Sequence, residues 1–185
     1  MELMQAIYSR RSIRRYKSQP VPRELVQKLL AAAVMAPSGS NAQPWSFVII
    51  QDKELLKEYS DRAKVLALEQ MRKRPDPHGY QKLLSDPDFN IFYNAGTLII
   101  IYGDQSPTAY VDCSLAAQNL MLAAHGFGLG SCWIGFSFAL CNSPGFKEEL
   151  GIPENLTAVA PLIIGYSDAV PDEYNRKEPQ VLVWK

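Results

Sequence analysis

Residues Tyr110 to Gly135 constrain the fold of this chain more than any other stretch. Leu115, Ala116, Asn119, Leu120, Leu122, Ala123 and Ala124 leave a helix here with almost no charged face. Such a helix has to be covered nearly all round, by its own domain or by a second subunit. Gly126 and Gly128 then stop the helix in the manner of a C-terminal cap, and Ser131 to Phe136 is expected to resume as a short strand. A buried helix delivering a glycine-bracketed strand end suits a bound planar ligand. It equally describes a core helix-strand unit that needs none, and only the rest of the chain separates the two.

At 185 residues the chain is long enough to bury a real core, and it reads as one domain over residues 1–185. Lys plus Arg and Asp plus Glu balance at 19 each, which argues against a protein built to coat nucleic acid or an anionic membrane. Any basic site must therefore be local. Cys113, Cys132 and Cys141 are odd in number and form no CxxC pair, as expected of reduced cytoplasmic thiols. The apolar runs Leu98–Tyr102 and Ala158–Ile164 are strand length and too short to span a bilayer. Glu2, Gln5 and Arg10 interrupt the start of the chain where a secretory leader would need a continuous apolar run, so none is expected.

A short helix over residues 2 to 9 leads into Arg10, Arg11, Ser12, Ile13, Arg14, Arg15 and Tyr16. Four arginines within six residues, with a serine hydroxyl, supply the forked donors that a phosphate monoester requires. In extended backbone Arg10, Ser12 and Arg14 point to one side and can meet one ligand. The same run also reads as a solvated basic turn or a nucleic-acid contact. A second helix, opened at Pro22, presents Leu25, Val26, Leu29, Leu30, Ala33 and Val34 on one face and ends at Ala36. Pro37, Ser38, Gly39, Ser40, Asn41, Ala42, Gln43 and Pro44 then form a loop of small and amide residues, restricted by proline at both ends, ahead of the strand Phe47–Ile50.

Further helices are expected from Asp52 to about Leu68, around Gln81 to Leu84, and from Pro144 to Leu150. Residues 72 to 90 form a long excursion, either a lid or a surface linker. Phe89, Phe92 and Tyr93 are candidates for a hydrophobic wall or for core. Thr97–Tyr102 is uniformly apolar and belongs in the sheet interior. Ala158–Tyr166 makes the last long strand, interrupted by Pro161. The tail carries the basic pair Arg176 and Lys177, then Val181 to Trp184, a short apolar run expected to dock on this subunit or the next.

Two histidines without HExxH or paired CxxC make a dedicated metal site improbable, and no GxSxG elbow is present. The glycines at 126, 128 and 130 follow a helix and precede a strand, the wrong order for a dinucleotide turn. What survives is an anion site without a protein nucleophile.

In this order and spacing, RRSIRRY at Arg10–Tyr16, APSGSNAQPW at Ala36–Trp45, GLGSCWIG at Gly128–Gly135 and the late Arg176 and Lys177 resemble the nitroreductase family of FMN-dependent oxidoreductases. The resemblance implies an α+β fold, with a central mixed sheet flanked by helices, in an intertwined homodimer with exchanged C-terminal tails. It implies two non-covalent FMN sites at the subunit interface. Arg10, Arg11, Ser12 and Arg14 would grip the phosphate, ribityl chain and pyrimidine edge, with Arg176 and Lys177 completing the phosphate site. Pro37, Ser38, Gly39 and Asn41 would approach the same flavin from the other subunit. Cys132, Trp133, Ile134 and Gly135 would line the ring, with an amide near Ile134 or Gly135 on N5. Some members place a lysine before the second strand, whereas Asp88 to Tyr93 offers no base.

The activity so implied is hydride transfer from NADH or NADPH through FMN to an electron-poor small molecule, such as a nitroarene, quinone or activated alkene, in a ping-pong cycle. No side chain is expected in a catalytic role, and neither metal, nucleic acid nor membrane is expected as a partner. The alternatives are a flavoenzyme of the same fold specialised for dehalogenation or flavin breakdown, and a non-enzymatic nucleic-acid-binding module.

Overall fold

A computed structural model describes residues 1–72, 75–169 and 175–185. Lys73 and Arg74 of the expected excursion, and residues 170–174 of the expected polar tail, lie outside the described residues. In chain order the elements are α1 (Leu3–Ser9), α2 (Arg23–Ala33), β1 (Trp45–Ile50), α3 (Lys53–Met71), α4 (Tyr80–Leu84) and β2 (Thr97–Gly103). There follow α5 (Ala109–Gly126), β3 (Gly130–Trp133), α6 (Phe138–Cys141), α7 (Pro144–Glu149) and β4 (Thr157–Gly165). Two 3₁₀ turns, Gly39–Asn41 and Gly135–Ser137, join elements at positions that matter below.

The strands pair in the order β1-β2-β4-β3. All three pairings are antiparallel, so the expected mixed sheet is not what these strands form. The one parallel pairing among the described residues is an isolated bridge from Ser12 to Ser131. The α+β arrangement of a sheet flanked by helices is as expected. β2 is buried at all seven positions, and its alternation divides the core. Leu98, Ile100 and Tyr102 face one layer with Tyr59, Ala63 and Phe146 of α3 and α7, while Ile99 and Ile101 face the other with Leu29 of α2 and Ala116 and Leu120 of α5.

Local signals account for the element ends. Asp52 caps α3, its Oδ1 accepting from the Glu54 and Leu55 amides at 2.9 and 3.0 Å. α2 stops at Ala33, short of the expected Ala36, because the bonds from Met35 to Ala32 and from Ala36 to Ala33 tighten its last turn before Pro37. At the end of α5, Gly128 adopts φ 77° and the Leu129 amide reaches back to the Ala124 carbonyl at 2.8 Å, the left-handed stop expected of these glycines.

β3 ends at Trp133, where a strand to Phe136 was expected. Its last partner is Leu162, and the next residue of β4 is Pro161, which has no N–H to offer a continuing strand. The Ile134 amide still donates to the Pro161 carbonyl at 2.9 Å, and the chain then turns away through Gly135–Ser137.

Among the described residues only one face of α5 is covered. Ala116, Ala117 and Leu120 are fully buried, whereas Tyr110 is 66%, Val111 58% and Leu115 40% exposed. Among the described residues, no helix is long and apolar enough to cross a membrane.

Candidate active site

The arginine segment is extended, as its spacing requires, and lies along the outer edge of the sheet beside β3. The Ile13 amide donates to the Ser131 carbonyl at 3.0 Å, and Lys17 and Asp168 amides add bonds to the Tyr166 and Arg15 carbonyls. Ile13 is buried against Gly130, where any side chain would collide: a Cβ there would stand 2.6 Å from Ile13 Cγ1. The glycine is thus what allows the segment to sit on β3.

Alternation then sorts the side chains. Arg10, Ser12 and Arg14 all act on the Cys132 thiol, which burial pushes up while Arg14, Ser12 and Arg10 oppose that shift. Arg10 is half-buried, and its guanidinium is lowered first by that burial and then by the charge of Arg176. The charge of exposed Arg176, from the far end of the chain, is thus felt at Arg10. Lys177 is exposed next to it in sequence. Arg11 turns the other way: its Nη1 donates to the Tyr8 and Arg10 carbonyls at 2.6 and 2.9 Å.

Beside the cluster opens a cavity of about 500 Å³. Cys132, Trp133, Ile134 and Gly135 form one wall together with Phe136, and Arg14 and Tyr93 stand at its edge. With the Ile134 amide committed to Pro161, the Gly135 amide is the one of the two expected N5 donors without an internal acceptor among the described residues. Tyr93 holds a left-handed backbone, φ 52°, and burial raises its phenol. Of the three aromatics left open between wall and core, Tyr93 is wall, Phe92 is core, and Phe89 supports Tyr93 edge-on at 5.5 Å.

Tyr80 and Leu83 of α4, Ile91 and Phe136 complete the lining, and sequence reasoning did not find them as site residues. Tyr80 meets Phe136 edge-on with ring centroids 5.2 Å apart. The available signal was an aromatic at the start of a five-residue helix and another just past the glycine turn, but nothing local joins two positions so far apart.

The Pro37–Asn41 loop is elsewhere. The Gly39 amide donates to both carboxylate oxygens of Asp112 at 3.2 Å, which seats the loop on the first turn of α5. Ser38 Oγ accepts from the Gln43 amide at 3.0 Å. Ser40, Asn41 and Gln43 have φ of 51°, 57° and 50°, conformations that cost on the order of 1–3 kcal/mol each outside glycine, asparagine being the mildest case. Arg10 belongs to the opposite end of α5: its neighbour Ser9 meets His125 of the last turn, Oγ to Nε2 at 2.7 Å, and Ile13 packs on Gly130 just past that end. Eighteen helical residues at 1.5 Å each separate the two ends by about 27 Å, so one copy of the chain does not bring this loop to Arg10.

The model of the nitroreductase family matches residues 7–166. A protein of Methanothermobacter thermautotrophicus named "Putative NADH dehydrogenase/NAD(P)H nitroreductase" is 32% identical over 184 residues, covering 97% of this chain and 84% of that one. The iodotyrosine deiodinase of Thermotoga neapolitana is 29% identical, covering 91% of this chain and 90% of its own. A nitroreductase from Bacteroides fragilis, solved with bound FMN, superposes with a TM-score of 0.86 at 27% identity over the whole of both chains.

Proposed function

Because the chain belongs to the nitroreductase family, we propose that it is an FMN-dependent oxidoreductase that moves hydride from NADH or NADPH to an electron-poor small molecule. Its working form on this reading is a cytoplasmic homodimer of one FMN-binding domain per chain, residues 1–185. The observation that carries the reading is the seating of the arginine segment on β3 through the Ser12–Ser131 bridge, with Arg14 lining the cavity walled by Cys132–Gly135.

FMN fits what these residues offer. Forked guanidinium donors and a hydroxyl suit its phosphate and ribityl chain, with Arg176 and Lys177 adding charge to the phosphate end. Backbone and apolar side chains suit a flat ring, and Gly135 supplies an N–H for the ring nitrogen N5. When bound, FMN supplies hydride acceptance and release at N5, which makes a ping-pong cycle with a nitroarene, quinone or activated alkene as second substrate. Arg14, among the described residues the one basic residue lining the cavity, would favour the negative charge of a reduced flavin held there, without help from Asp88–Tyr93, which holds no base. Tyr80, Tyr93 and Phe136 keep water from one side of the cavity. No side chain takes part in bond making, and Arg11, turned onto Tyr8, contributes to the local field rather than gripping the phosphate directly.

The separation along α5 supports the homodimer. Two copies of α5 packed antiparallel along the uncovered stripe Val111, Leu115, Gln118 and half-buried Leu122, which is centred near the middle of the helix, would set the Pro37–Asn41 loop of one chain beside the Arg10 cluster of the other. Pro37, Ser38, Gly39 and Asn41 then reach the flavin from the partner, and the apolar tail Val181–Trp184, with Trp184 90% exposed, crosses to it as well.

Visible absorption before and after anaerobic addition of NADH or NADPH tests the proposal. A yellow dimer that bleaches supports it, yellow protein that stays oxidised points to another electron donor, and colourless protein that FMN does not reconstitute overturns it. Reductive dehalogenation is the second reading, favoured by the likeness to the Thermotoga deiodinase. Iodide release from iodotyrosine under the same conditions would select it.

A further inference from the structure

We propose that Asp112 is a positioning residue for the flavin site of the partner copy, acting through the Ser38–Gln43 corner without touching the cofactor. It rests on the two-copy reading above. Asp112 is 3% exposed, and its carboxylate is spent on another segment: both oxygens accept from the Gly39 amide at 3.2 Å, and Thr108 Oγ1 donates to Oδ2 at 2.8 Å. Gly39 lies so close to the helix start that a Cβ would come 2.7 Å from Thr108 Oγ1.

One residue beyond this anchor the backbone enters its left-handed run at Ser40, Asn41 and Gln43, closed by the Ser38 hydroxyl. Ser40 and Asn41 are exposed, and their side chains have no hydrogen-bond partner among the described residues. Within the protomer the corner holds the Asn41 and Ala42 amides on the Ser38 and Gly39 carbonyls, each at 3.0 Å, and what it presents outward is the exposed side chains of Ser40 and Asn41. A buried carboxylate gripping Gly39 is what fixes the direction of that corner. Removing the grip lets the corner relax, and the loss falls on the site of the other chain.

FMN fluorescence quenching on apoprotein reads the effect. Asp112→Ala is expected to weaken FMN binding at least tenfold with helix content and dimer size retained, and Asp112→Asn, which keeps one acceptor for Gly39, weakens it less. The decisive sample is the mixed dimer of an Arg10→Ala chain with an Asp112→Ala chain. If Asp112 acts across the interface, one site receives both mutations and the other neither, so the mixture regains one tightly bound FMN per dimer. Should Asp112→Ala fail to fold, Asp112→Asn takes its place in the mixture. Wild-type affinity in both Asp112 variants overturns the proposal, and so does a mixed dimer with two weak sites, which would put the effect within the same chain. Wild-type protein that binds no FMN, or binds it as a monomer, overturns the reading beneath it as well.

Discussion

Replacing Gly130 by alanine tests whether the seat of the arginine segment on β3 controls cofactor retention. The new methyl would stand 2.6, 2.7 and 2.9 Å from Cγ1, Cβ and Cγ2 of Ile13. No rotamer of Ile13 moves its own Cβ, so relief requires the backbone of residues 10–14 or of β3 to shift. Overpacking of this kind costs about 1–3 kcal/mol. With an unfolding entropy of about 2.1 cal/mol/K per residue, a chain of 185 residues loses roughly 3–8 °C from its midpoint. Because the Ser12–Ser131 bridge and the Ile13–Ser131 bond break together, Arg10, Ser12 and Arg14 move with the segment. If the whole penalty is relieved by that movement, FMN affinity falls roughly 5- to 150-fold. Thermal melts of apoprotein and FMN quenching titrations measure the two effects. A variant with unchanged midpoint and unchanged FMN affinity would refute the reasoning.

Alanine at both Arg10 and Ser12 should give a folded dimer that has lost its flavin, and stoichiometric FMN retained through purification would sink their assignment. Leu115→Glu, on the uncovered face of α5, should turn the dimer into a monomer on size exclusion and empty the flavin site with it; a dimer of normal elution would show that this face is not the seam. Tyr59 donates to Glu149 Oε1 at 2.6 Å, and burial, then that bond and the carboxylate charge, push its phenol up to about 12 from 10.0. A value raised in the folded state means this contribution is complete below pH 10 and is lost between pH 10 and about 12. Urea midpoints across that window should fall, and Tyr59→Phe should make the fall shallower by up to about 1.4 kcal/mol per pH unit; an unaltered slope would exclude Tyr59 as its source.

Local chemistry was legible in the sequence wherever one backbone period or one turn decides the outcome. The extended course of the arginine segment follows from its own spacing, and the stop after α5 needs only a glycine free to take φ 77°. The uniform burial of β2 follows from its composition. What stayed hidden depends on packing between distant segments. The end of β3 at Trp133 is set by Pro161, 28 residues away and read only as an interruption of its own strand. The distance from the Pro37 loop to the arginines is set by the direction of α5, and the Tyr80–Phe136 contact by where α4 comes to rest. Arg11 leaves the cluster for the Tyr8 carbonyl, a competition for donors that side-chain alternation anticipates only in direction.

The length of α5 has a thermodynamic consequence. If each flavin is held by the arginine end of one chain and the loop end of another, then cofactor binding and subunit association are linked equilibria, and each strengthens the other by the same factor. Dilution below the dimer dissociation constant would then shed FMN even with every binding residue intact, and excess FMN would hold together pairs that otherwise separate. Occupancy would follow the concentration of the chain itself, so that the amount of protein made, as well as the flavin supply, sets how much of it is competent for electron transfer.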